Sequence, residues 1–207
     1  MPTSRPELIK PVIDAVRECQ DKYGVESVLD VGCGSGFYGA ALRQYLDFAH
    51  NRGFFDAETV DDTAQIKIQG VEPGPYDNPN WQHYNDIFRG TIDDALEGMA
   101  KEARALKSES GAKFDVVLAC DMLEHMEQAE AERVAKALYE RTEKYLIITT
   151  PSTFREQWQP EKKWEDKHQE HKCFISPAVI DSWFPRVRIH KLGSVYMAVV
   201  MQEHLPI

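Results

Sequence analysis

Several things are missing from this 207-residue chain, and each absence excludes a class of protein. No apolar run approaches the ~18 residues that a membrane-spanning helix needs, and Met1 to Lys10 hold no apolar signal core, so neither a bilayer span nor secretion is expected. Cysteine is scarce: Cys19, Cys33, Cys120 and Cys173 stand far apart with no C-x-x-C pair. That spacing argues against a disulfide or zinc framework and for reduced thiols in a cytoplasmic protein. Positive charge is in deficit, with 24 Lys and Arg against 34 Asp and Glu, a net charge of −10. Such a surface repels a phosphate backbone, so duplex nucleic acid is not an expected partner. No internal repeat or low-complexity tract appears, and nothing in the pattern speaks to oligomeric state. What remains, 43% apolar and 28% charged, is enough for one globular domain over 1–207 with a sizeable core.

Apolar spacing orders the elements. A helix is predicted over Leu8 to Tyr23, within an N-terminal segment 1–24, with Pro11 in its first turn. Strands are predicted at Ser27–Val31, Ile66–Val71, Gln82–Tyr84, Phe114–Cys120, Tyr145–Thr150, Val187–Leu192 and Val195–Met201, the last two forming a hairpin at Gly193-Ser194. Helices are predicted at Phe37–His50, Thr91–Leu106, Glu127–Arg141 and Ser176–Phe184. Asn51 to Thr63 reads as an inserted loop, and Pro73 to Trp81 is too short and too broken for a crossover helix. Alternating strands and helices closing on a hairpin imply an α/β fold: seven strands, mainly parallel, one antiparallel, with helices on both faces.

The most informative stretch is Val28-Leu29-Asp30-Val31-Gly32-Cys33-Gly34-Ser35-Gly36-Phe37-Tyr38-Gly39. A strand, a glycine turn and a helix follow one another where α/β sheets bind ligands. Gly34-x-Gly36-x-x-Gly39 also fits a dinucleotide fingerprint, which is weak alone. Asp30 opposes that reading, because a carboxylate beside the turn repels a pyrophosphate. A ligand bringing an ammonium or a sulfonium tolerates it. Elsewhere Glu72, Asp86 and Asp121 also end a strand or lie just beyond one, so a cationic ligand suits the rim.

These residues resemble motif I of the class I S-adenosylmethionine-dependent methyltransferases, V-L-D-x-G-C-G-x-G, and the likeness runs from about residue 25 to residue 200. The resemblance implies the Rossmann-like sheet, S-adenosylmethionine as cofactor and S-adenosylhomocysteine as product. It implies that Asp30, Gly32, Gly34 and Gly36 surround the methionine end, that Glu72 accepts from the ribose hydroxyls, and that Asp86 and Ile87 hold the adenine. Tyr38 would close over the cofactor, and Asp121 would share its rim.

Cys120-Asp121-Met122-Leu123-Glu124-His125 resembles the family's D-x-L-E-H segment. His125 is a base candidate because its ordinary pKa lies near operating pH. The loop 151–175, with Phe154, Trp158, Trp164, His168 and His171, is expected to form a substrate lid; its balanced charge suits a polar small molecule. Glu124, His125 and His171 are thus the catalytic candidates, with no metal. The expected reaction is methyl transfer to a hydroxyl, amine or carboxyl of a small-molecule acceptor. One alternative gathers Asp121, Glu124, His125 and His171 around a metal, as small-RNA 3′-terminal 2′-O-methyltransferases do with a comparable E-x-x-E-H, from which this chain departs with Asp at the first position. Another is a nucleotide-binding oxidoreductase.

Overall fold

A computed structural model describes residues 6–47, 66–74, 78–105, 113–153 and 170–206. The inserted loop 51–63 and the lid residues Phe154, Trp158, Trp164 and His168 lie outside the described residues. Strands β1 (Ser27–Val31), β2 (Lys67–Glu72), β3 (Asp86–Arg89), β4 (Phe114–Cys120), β5 (Thr142–Pro151), β6 (Val187–Leu192) and β7 (Val195–Met201) form one sheet in the order β3-β2-β1-β4-β5-β7-β6. β7 pairs antiparallel with both β5 and β6, and the other pairings are parallel. β4 reads as a nearly continuous apolar run because helices cover both of its faces.

Two apolar layers flank the sheet. On one face α1 (Pro6–Tyr23) and α2 (Phe37–Leu42, continued by a π turn Arg43–Asp47) pack Val12, Val16, Tyr38 and Leu42 against Ile68, Leu118 and Ile147. On the other, α3 (Ile92–Ala105), α4 (Gln128–Glu140) and α5 (Pro177–Trp183) pack Ala95, Val134, Leu138 and Trp183 against Leu29, Val117 and Ile148. α1 begins at Pro6, so Pro11 falls inside it rather than in its first turn. Among the described residues no helix is long and apolar enough to cross a membrane.

The β2–β3 connection departs from expectation. Pro79–His83 is a 3-10 turn rather than the start of a strand, and β3 begins at Asp86. Pro79 presets the first φ of that turn, and the Asn78 side chain accepts from the Asn80 N–H. Buried Arg43 then fixes the connection, donating to the His83 carbonyl (2.9 Å), to Asn85 Oδ1 (2.6 Å), to the Ile66 carbonyl and to Asp47 (2.7 Å).

Candidate active site

The sharp turn after β1 needs three left-handed residues, and Gly32, Gly34 and Gly36 take φ of 72°, 49° and 76° without a Cβ penalty. Its amide groups are already committed. Gly32 and Cys33 donate to the Val71 carbonyl (2.8 and 3.1 Å), Gly34 to Glu72 Oε2 (2.7 Å), Gly36 to the Cys33 carbonyl (2.8 Å) and Gly39 to the Tyr84 hydroxyl (3.0 Å). A pyrophosphate cradle needs such amides free. This turn instead presents shape, with these five N–H groups held by protein acceptors.

A cavity of about 290 Å³ opens at the carboxyl ends of β1, β2 and β4. Val31, Val71, Ile92, Met122 and Met126 give it apolar walls; Glu72, Asp93, Asp121 and Glu130 give it negative ones, against Lys172 and His125. Glu72 is buried, and its Oε1 accepts from the Gly74 N–H at 2.8 Å while Oε2 holds Gly34. Each of those oxygens keeps a second lone pair, so the carboxylate can still accept from a diol. Asp121 leaves β4 with φ of 49°, and its N–H donates to the Thr149 carbonyl (3.1 Å). Among the described residues no other non-glycine residue adopts a positive φ, and this strain stands at the cavity.

His125 ends the 3-10 turn Leu123–His125 and lines the cavity. Its Nδ1 lies 3.1 Å from the Glu170 carbonyl, which can only accept, so Nδ1 carries a proton. His171 stacks edge-on against it, ring centroids 4.8 Å apart. The Glu124 carbonyl accepts from the Lys172 and Cys173 N–H groups (2.8 and 3.2 Å), tying the stretch just before α5 to this turn. Glu124 and His171 are buried and do not line the cavity. Ligand atoms of Glu124, His125 and His171 all lie within 4.8 Å of one another. Asp121 is not part of that cluster, which corrects the four-residue grouping read from sequence.

Other expected site residues stand elsewhere. Asp30 is 1% exposed and faces the α1–α2 layer, where the Tyr84 hydroxyl donates to it at 2.6 Å. Burial pushes its carboxyl up to about 7, so it is not the open anion expected at the rim. Tyr38 is core, 2% exposed, rather than a flap over the site. Asp86 and Ile87 pair with Gln69 and Gly70, below the rim, because β3 starts later than its sequence pattern suggests. The residues leaving β3 at the rim are Thr91, Ile92 and Asp93, and these line the cavity in their place. The Gly90-Thr91-Ile92 exit, like Lys172 after His171, was the available signal. Cys33 and Cys120 are buried thiols held protonated by desolvation, so neither supplies a thiolate.

A family model described as a methyltransferase domain matches residues 5–187. Solved structures share the fold. An O-methyltransferase family protein from Burkholderia thailandensis is 16% identical over 94% of this chain and 56% of its own, with TM-score 0.50. Magnesium protoporphyrin IX methyltransferase from Synechocystis PCC 6803 with bound S-adenosylhomocysteine is 13% identical over 95% of this chain and 82% of its own, with TM-score 0.52. The small RNA methyltransferase HEN1 is 16% identical over 100% of this chain and 27% of its own, with TM-score 0.59. The chain therefore spans only about half of the first of these and a quarter of the third. No curated protein matches the sequence.

Proposed function

The chain belongs to the methyltransferase-domain family, and on that premise we propose that it transfers a methyl group from S-adenosylmethionine to a hydroxyl, amine or carboxyl of a polar small molecule. The observation that carries the proposal is the cavity itself: apolar walls for a base and a thioether, acids for a cation, and His125 in its lining. S-adenosylmethionine supplies a methyl on a sulfonium sulfur. Glu72 is placed to accept from the ribose hydroxyls beside Gly32, and Thr91, Ile92 and Asp93 flank the adenine. Gly34 and Gly36 shape the methionine path, and Asp121 faces the cationic centre. Where the acceptor is a hydroxyl or an amine, His125 would take its proton as the acceptor atom bonds to the methyl carbon and the sulfur–carbon electron pair returns to sulfur. The role of His171 is to keep the His125 ring oriented. The crowded amides of the glycine turn weigh against an oxidoreductase reading. Calorimetric titration with S-adenosylhomocysteine and with NAD tests this: binding of the first and none of the second is expected, and the reverse would overturn it.

A second reading has one observation in its favour, the cluster of Glu124, His125 and His171. Two imidazoles and a carboxylate can hold a divalent cation that orients an acceptor hydroxyl, as in a metal-assisted methyltransferase acting on an RNA end. A chelator would then abolish activity, whereas full activity in excess chelator removes the metal.

A further inference from the structure

The stretch that replaces the crossover helix between β2 and β3 does more than connect. Its residues reach the glycine turn and take no part in lining the cavity. Asn80 Nδ2 donates to the Ser35 carbonyl (3.1 Å), and the Trp81 indole N–H donates to the Gly34 carbonyl (2.9 Å). A Cβ on Gly36 would meet the Trp81 ring at 3.0 Å and Asn80 at 3.1 Å, so the two backbones are in close contact there. Tyr84 stands between the Gly39 N–H, from which it accepts, and Asp30, to which it donates. The Arg89 guanidinium lies 4.5 Å above the Trp81 ring and holds its outer face. Arg43 anchors the far end of the stretch through His83 and Asn85.

Gly34 is thus gripped on both sides: its N–H by Glu72 within the cavity, its carbonyl by Trp81 outside. A turn of three left-handed glycines has high conformational entropy when unheld, and ordering it on binding would cost affinity. We propose that Trp81 and Tyr84 are positioning residues for the cofactor, pre-forming the glycine turn so that Glu72 and the turn meet the ligand already ordered. The proposal rests on the S-adenosylmethionine reading above. Neither side chain touches the cavity; each acts through the turn.

The test uses Trp81→Phe, which removes the indole donor and keeps a ring under Arg89, and Tyr84→Phe, which removes the bridging hydroxyl. Each should weaken S-adenosylhomocysteine binding by about fivefold or more, measured by calorimetry well below the melting temperature. In the unliganded variants, amide hydrogen exchange should accelerate across residues 32–40 and stay unchanged in β5. Trp183→Phe, in the opposite core layer, is the control: it should lower the melting temperature and leave both affinity and the exchange of 32–40 as in the wild type. Wild-type affinity in folded Trp81→Phe and Tyr84→Phe would overturn the proposal, as would exchange that accelerates equally in β5. A wild-type protein that fails to bind S-adenosylhomocysteine would overturn the cofactor reading and this inference together.

Discussion

Asp30 shows how one buried residue couples the site to stability. Its carboxyl is pushed from 3.8 to about 7, first by desolvation and also by the nearby Glu72, against the opposing hydrogen bond from Tyr84. The folded state therefore keeps a proton that the unfolded chain releases near pH ~4. Because the folded value is raised, this linkage stabilises the fold fully below pH ~4 and is lost as pH rises through ~7, at a cost of up to ~4 kcal/mol. Asn in its place still accepts from Tyr84 and carries no charge. Asp30→Asn should match the wild-type melting temperature near pH 4 and exceed it at pH 8; equal melting temperatures at both would show that Asp30 is not desolvated. Glu72, by contrast, accepts from the Gly34 and Gly74 N–H groups. Glu72→Ala should weaken S-adenosylhomocysteine binding by about 2–3 kcal/mol, through lost ribose contacts and a loosened turn. Calorimetry showing a change below about 0.5 kcal/mol would place the ribose elsewhere.

Elements explain what was legible beforehand. The strands at 27–31, 114–120, 187–192 and 195–201 match their expected bounds, because long apolar runs and a hairpin turn leave little choice. The third strand differs from its expectation: Gln82, His83 and Tyr84 lie in or beside a 3-10 turn, where the His83 carbonyl accepts from Arg43 and the Tyr84 hydroxyl bridges Gly39 and Asp30. Asp86 and Ile87, the adenine candidates that the resemblance implies, lie within β3, while Thr91 beyond its end lines the cavity. Glycines 32, 34 and 36 and Glu72 were readable because their positions follow directly from strand ends. Which acid is buried and which faces the cavity was not, since that depends on Tyr84 arriving from 54 residues away. Arg43 is the element-scale test. It is 1% exposed and ties α2 to the connection. Arg43→Met leaves Asp47 buried without its cation and should cost about 3–5 kcal/mol in denaturant unfolding. A loss under about 1 kcal/mol would show that the connection is held by other contacts.

At the scale of the whole molecule, a single sheet brings the carboxyl ends of β1, β2 and β4, together with Lys172 beyond β5, to one cavity. The net charge of −10 weighs against a nucleic-acid acceptor. The acidic cavity agrees with a cationic methyl donor, and His125 with an acceptor that must lose a proton. The most direct test is transfer of labelled methyl from S-adenosylmethionine into a small-metabolite extract, with wild type and His125→Ala compared beside their affinities for S-adenosylhomocysteine. The account predicts label in a small molecule with the wild type, and a rate lower by about 10²–10⁴ in the variant at unchanged affinity. Full-rate labelling by a stable His125→Ala protein, or label found only in RNA, would contradict it.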